Sequence, residues 1–265
     1  MKRRSCKYLL TAALLCAALT LPAKAARRRV PVQADAIPVS AAAYVEQGVT
    51  YVPLRALLNA LGSWRVWWDG EAGQAAAISG SASLRADPAG NVIRVNGIAL
   101  SGRVTVESGV TYVPLRLVCE ALGCKVEWDP YLGGAAVTSP GAAYDAVELY
   151  WLSRIIYAES GAESMTGQIA VGNVILNRME SSRFPNTVEG VIFDRKDAVQ
   201  FEPVSNGQIY KTPSAQSVEA ARRVLDGENV IGSALYFYAP ALSQGVWINA
   251  SCTYQQTIGC HRFYL

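Results

Sequence analysis

The sequence predicts an α+β protein in two parts, a small tandem-repeat domain of mixed strand and helix followed by a mainly helical domain. Three observations carry this. Gly48-Val-Thr-Tyr-Val-Pro-Leu-Arg55 recurs unchanged as Gly109-Val-Thr-Tyr-Val-Pro-Leu-Arg116, an offset of 61 residues. From Asp145 onward the apolar residues follow helical spacing and the 61-residue period stops. Between the two lies Ser139-Pro-Gly-Ala-Ala, which has the composition of a linker.

The first element, residues 1–25, reads as a secretory signal peptide. Lys2, Arg3, Arg4 and Lys7 precede an apolar run from Tyr8 to Leu21, and Ala23-Lys24-Ala25 supplies a small-x-small cleavage pattern. A run of about 14 apolar residues falls short of the ~20 that span a bilayer, so no transmembrane segment is expected after cleavage. Cys16 follows Leu15, where a lipoprotein signal wants a small residue, so lipidation is not expected. The whole chain of 265 residues carries a formal charge of +3, but residues 1–25 hold five of its 24 Lys and Arg and no acid. The remainder has 19 basic against 21 acidic residues, a balance of −2 that argues against a nucleic-acid partner. About 240 residues suit two domains.

The repeats occupy residues 35–138. In each, a Val-Thr-Tyr-Val strand runs into Pro53 or Pro114, and a short amphipathic helix follows. In the first copy that helix carries Leu54, Leu57, Leu58 and Leu61 on one face. Gly62 or Gly123 then stands where a helix C-cap glycine belongs. A strand with Val66 or Val126 closes each unit on Trp68-Asp69 or Trp128-Asp129. Ile37-Pro-Val and Ile93-Arg-Val-Asn-Gly each read as the first arm of a β-hairpin, the second with an Asn-Gly turn. The VPLR…ALG…V-W-D pattern resembles the copper amine oxidase N-terminal-like domain. That resemblance implies a structural or adhesive role against wall polymers, and no copper chemistry. A copper site needs several imidazoles, and His261 is the only histidine.

Cys119 aligns with Leu58 and Cys124 with Ser63, so two thiols enter the second copy as a pair. A Cys119–Cys124 disulfide is expected of an exported protein, with free buried thiols as the alternative. The cysteine spacings are too irregular, and histidine too scarce, for a zinc site; neither a metal nor a cofactor is expected.

After a linker at 139–145, the second domain covers 146–265. Leu149, Leu152, Ile156 and Glu159 fall on one helical face, with Ile155 beside them. A carboxyl on that stripe loses water, which favours its protonated form and suits it as a general acid near neutral pH. Ser160-Gly161 breaks the pattern and leaves Glu159 at a helix end, where it can face a cleft. The plainer alternative is a carboxylate turned to solvent or capping the next helix. Glu163 begins the following helix and suits its positive end. Met165 to Met179 is apolar nearly all round, as a central helix would be.

The motifs then become specific. Tyr157-Ala-Glu159-Ser-Gly-Ala-Glu163 leads to Gly167-Gln-Ile-Ala-Val-Gly-Asn-Val-Ile-Leu-Asn-Arg178. Phe184-Pro185, Val188-Glu-Gly-Val-Ile-Phe193, Gln200-Phe201, the Ala-Leu-Tyr-Phe-Tyr run ending at Tyr238, and Gly259-Cys-His261-Arg-Phe-Tyr264 follow in order. Together, over about 148–264, they resemble the cell wall hydrolase family named for the spore-cortex-lytic enzyme SleB. The resemblance implies a lysozyme-like α+β fold and a secreted protein of the wall or spore cortex. It also implies peptidoglycan as polymer partner, cut between N-acetylmuramic acid and N-acetylglucosamine by lytic transglycosylation. The family's catalytic glutamate falls on Glu159. Glu163, Gln200, Phe201, Tyr236, Tyr238 and His261 are then expected to contact sugar, with core packing the alternative for the aromatics. One position departs: the family has Asn before the C-terminal His, and this chain has Cys260, which suggests a Cys252–Cys260 disulfide in exchange.

Classical glycosidases use a second carboxylate, and Glu163, Asp194, Asp197 and Glu202 are available, though no spacing selects one. Two other function classes compete. A wall-peptide cysteine peptidase needs Cys and His to meet, whereas Cys260 and His261 as strand neighbours would face opposite sides. A wall-binding protein without activity would draw on the repeats alone. Protein partners leave no signal.

Overall fold

The computed structural model describes residues 26–39, 42–196 and 199–265. The expected signal peptide at 1–25 and the candidate carboxylate Asp197 lie outside the described residues.

The two identical repeat strands, Val49–Pro53 and Val110–Pro114, lie side by side and antiparallel, with Val52 opposite Val113. They form the centre of a five-stranded sheet completed by Tyr44–Glu46 and Arg28–Arg29 on one side and Thr105–Glu107 on the other. Each central strand runs into a seven-residue helix, α1 (Leu54–Ala60) or α2 (Leu115–Ala121). Leu54, Leu57 and Leu58 of α1 and Leu115, Val118 and Cys119 of α2 are buried in a shared core. Gly62 and Gly123 follow the helices with φ of +135° and +81°, conformations that disfavour a side chain.

Beyond the helices the copies diverge. After α1, strands from Arg65–Asp69 to Ile98–Ser101 form a five-stranded antiparallel meander. After α2, the hairpin Lys125–Asp129/Gly134–Thr138 is completed by Val32–Ala34, which runs parallel to Gly134–Thr138, and by Ile37–Pro38. Asn96 and Gly97 turn the Val92–Val95/Ile98–Ser101 hairpin with positive φ at both, as the Asn-Gly pair predicts. Ile37-Pro38 corrects the expectation. It is the returning arm of its hairpin, because Asp35 and Ala36 take positive φ and make the turn, leaving Val32–Ala34 as the first arm.

The second half contains α3 (Ala146–Ser160), α4 (Met165–Glu180), α5 (Val188–Ile192), α6 (Glu202–Asn206), α7 (Ala215–Leu225) and α8 (Val246–Ser251). A three-stranded antiparallel sheet follows, in the order Tyr236–Tyr238, His261–Tyr264, Tyr254–Ile258. Asp145 caps α3 by accepting from the backbone N–H of Val147 and Glu148. In α4, Ile169, Ala170, Val171, Val174 and Ile175 are all buried, which makes it the central helix. Gly172 lets its neighbours close in: a Cβ there would stand 2.9 Å from both Ile156 Cδ1 on α3 and Val224 Cγ2 on α7. The protein is thus α+β throughout, β-rich first and mainly helical after. No described helix is long and apolar enough to cross a membrane.

The halves are joined by more than the linker. The fully buried Trp151 of α3 donates from Nε1 to Asp129 Oδ2 of the second repeat at 2.7 Å. Tyr131 stacks on Phe193 with ring centres 4.0 Å apart, and Gln33 Nε2 donates to the Ala146 carbonyl at 3.2 Å.

Candidate active site

Glu159 lies one residue before the end of α3, on the stripe formed by the buried Leu149, Leu152 and Ile156. Its own side chain is half-buried. Burial pushes its carboxyl up to about 7, and the neighbouring Glu202 carboxylate at the start of α6 adds to the rise. The chain turns away just past it. Ser160 Oγ donates to the Ile156 carbonyl at 2.8 Å, and a Cβ on Gly161 would meet the Tyr157 carbonyl at 2.5 Å. A side chain at position 161 would crowd that carbonyl, and Glu159 lines a groove of about 500 Å³. Tyr157, Glu163, Gln208, Lys211, Cys260 and His261 share the lining.

Glu163 sits just before α4, whose N-cap is Ser164. Its backbone carbonyl accepts from Gln168 Nε2 and Gln216 Nε2, each at 3.1 Å. Gln168 is in turn fixed by Ser217 Oγ at 2.8 Å. The Glu163 side chain accepts from the Cys260 thiol at 2.7 Å.

Cys260 and His261 reach the groove because α4 holds the far segment in place. Asn173 donates to the Glu228 carbonyl and accepts from Val230 N–H, Asn177 donates to the carbonyls of Gly232 and Ala234, and Arg178 Nε donates to that of Leu235. The same segment receives Gln255 and Gln256 of the Tyr254–Ile258 strand on its Ile231 and Val230 carbonyls. The Gly259–Cys260 turn at the end of that strand is thereby set against Glu163. The polar members of the Gly167–Arg178 motif are thus structural fasteners on an otherwise apolar helix.

The expected site residues separate into two groups. Glu159, Glu163 and His261 meet in the groove. Gln200, Phe201 and Tyr236 instead surround the buried Arg178, whose guanidinium lies over the Phe201 and Tyr236 rings and donates to Gln200 Oε1 at 3.3 Å. Burial lowers that arginine to about 10. Tyr238 is buried and bonded to Asn249, and it does not line the groove. Among the candidate second carboxylates, Glu202 acts on Glu159 only as a neighbouring charge, and Asp194 accepts from the Lys196 N–H in a local turn. Gln208 and Lys211 were not legible in the sequence; they sit on and just after a single 3-10 turn, which has no periodic pattern.

All four described cysteines are free thiols, which corrects both expected disulfides. Cys119 and Cys124 share a hydrogen bond, and that bond and burial push the Cys119 thiol up. Cys252 follows α8 in a hollow with Asn249 and Tyr264, while Cys260 is directed at Glu163. The facing of Cys260 and His261 is also corrected. Cys260 belongs to the turn and not to the strand, so its Sγ comes within 3.9 Å of His261 Nδ1. The hydrogen bond to Glu163 pushes the Cys260 thiol up, and burial pushes His261 down. Neither shift favours an activated thiolate.

A larger hollow, about 780 Å³, lies elsewhere, beside α1 and the Trp67–Trp68 strand. Ala56 lines it, at the position that Leu117 holds in the second repeat. Its lining has no carboxyl or imidazole, so it offers no acid catalyst.

Comparison with known proteins adds three findings. Residues 162–264 match the model of the cell wall hydrolase family, and residues 32–138 match the copper amine oxidase N-terminal domain. A spore cortex-lytic enzyme of Bacillus cereus is 39% identical over 105 residues, which is 40% of this chain and 39% of that protein. A spore cortex-lytic enzyme of Bacillus subtilis (strain 168) is 35% identical over 113 residues, 43% of this chain and 36% of that protein. The chain therefore spans about two fifths of the length of the curated relatives it matches. The solved catalytic domain of the germination-specific lytic transglycosylase SleB from Bacillus anthracis is 36% identical, covering 48% of this chain and 99% of that one with a TM-score of 0.43.

Proposed function

We propose, from the match of residues 162–264 to the cell wall hydrolase family, that the chain cleaves peptidoglycan glycosidic bonds with Glu159 as its acid. The observation that carries the reading is a half-buried carboxyl in an open groove, raised to about 7 and with no hydrogen-bond donor on it among the described residues. Such a group holds its proton for part of the time near neutral pH and can also give it up.

The reaction needs one such group. Glu159 protonates the oxygen between N-acetylmuramic acid and N-acetylglucosamine, and the bond to muramic C1 breaks. The resulting carboxylate then takes the proton of the muramic C6 hydroxyl, whose oxygen closes on C1 to give a 1,6-anhydro ring. No water is consumed, so no second carboxylate has to position one. Glu163 is already engaged by Cys260, which supports leaving it out of proton transfer. Gln208, Lys211 and His261 are the groups offered to the sugar and its substituents. Export by residues 1–25 and action on wall or spore cortex complete the reading, and the spore cortex-lytic relatives favour cortex.

Mass spectrometry of fragments released from purified cortex peptidoglycan tests it. Anhydromuramic ends are the expected product. Hydrated reducing ends would replace the transglycosylase mechanism with hydrolysis, and cleaved peptides with intact glycan would remove the proposal.

A further inference from the structure

Linear spacing offers no metal-ligand set in this chain, because Cys260 and His261 are adjacent and the third group lies 97 residues from Cys260. Folding supplies what spacing does not. One ligand atom each from Glu163, Cys260 and His261 lies within 4.8 Å of the other two. Cys260 Sγ stands 2.7 Å from Glu163 Oε1 and 3.9 Å from His261 Nδ1. A tetrahedral zinc ion, with Zn–S of about 2.3 Å and Zn–N and Zn–O of about 2.0–2.2 Å, holds such donors roughly 3.6 Å apart. Thiol and imidazole are already near that separation. Thiol and carboxylate are closer because a proton lies between them; it leaves when the thiolate takes the metal.

The cluster is also built, not incidental. A side chain at Gly259 would collide with the Glu163 carboxylate, and a Cβ at Gly167 would come 2.8 Å from Glu163 Cβ. His261 is 5% exposed, with its ring edge-on to Phe237 at 5.3 Å between centres. Cys260 is exposed on the groove side, which leaves an entry path.

We propose that Glu163, Cys260 and His261 bind one divalent transition-metal ion of the zinc class, with the fourth position open to the groove. A thiolate, a carboxylate and a neutral imidazole together balance the ion's charge, and the thiolate selects against magnesium and calcium. An amide side chain at position 260 would remove that soft ligand, so the site depends on this chain's cysteine. The inference goes beyond the glycosidase reading and does not depend on it.

The test uses the full chain under reducing conditions, with Zn²⁺ competed against a chromogenic chelator and Co²⁺ as a spectroscopic probe. The expected result is one equivalent of metal and a thiolate-to-Co²⁺ charge-transfer band. Cys260→Asn should weaken binding about 100-fold or more and abolish the band. Glu163→Gln should weaken binding by a smaller factor, so the assignment does not hang on one variant. A Cys119→Ser/Cys124→Ser chain, which removes the other thiol pair, should bind as before. Absence of the band, or a band that survives Cys260→Asn and disappears with Cys119 and Cys124, overturns the site.

Discussion

The end of α3 and the loop into α4 each present a glutamate to the same groove, and the two are treated in opposite ways. Glu159 is carried there by an apolar helix face and receives burial and a like charge, but no hydrogen bond among the described residues. Glu163, four residues on, has its carboxyl bonded by Cys260 and its carbonyl held by Gln168 and Gln216. The difference teaches how a fold separates a carboxyl with a raised proton affinity from a fixed polar group. Withholding partners keeps the proton on, and supplying them fixes the position.

If that contrast is right, the largest effect comes from Glu159→Gln, which keeps the shape and removes the acid. Turnover should fall by about 10²–10⁴-fold, the range for lost general acid–base catalysis, while binding to peptidoglycan survives. Dye release from labelled peptidoglycan, with circular dichroism to confirm folding, reads this. Glu163→Gln should cost about tenfold or less in the same assay, because no proton transfer is lost. Equal losses in the two variants would erase the distinction.

A smaller effect appears in stability. Glu159 has an ordinary value of 4.5 and sits near 7 when folded, so the folded protein holds this proton more tightly than the unfolded chain. That preference favours folding fully below 4.5 and is lost as pH rises through about 7, where the buried carboxylate becomes a cost. Glu159→Gln should therefore raise stability by about 1–3 kcal/mol near pH 8 and change little near pH 4, as denaturant titrations would show.

How much of this was legible differs by element. The repeat strands, their helices and the Asn96-Gly97 turn follow from local pattern, which packing reinforced. The Leu149–Glu159 stripe was equally readable, because helical spacing dictates which residues share a face. What pattern does not carry is the use a fold makes of identical motifs. Asp69 and Asp129 close the same Trp-Asp pair, yet Asp69 pairs with Arg85 on the surface while Asp129 is 2% exposed and accepts from Trp151. Only the docking of α3 distinguishes them. Phe201 and Tyr238 read as sugar platforms but went to packing, since an aromatic ring suits either use. Cys260 was placed on a strand when it belongs to the turn, and one residue of register reversed its facing.

The central claim is that the fold raises the Glu159 carboxyl to titrate near neutral pH. Carbon-13 NMR titration of glutamate-labelled protein, with the Glu159→Gln spectrum subtracted, reads that carboxyl directly. A midpoint near 7 is predicted, moving downward in Glu202→Gln as the neighbouring charge is removed. A midpoint near 4.5, in a protein fully active at neutral pH, would contradict the account.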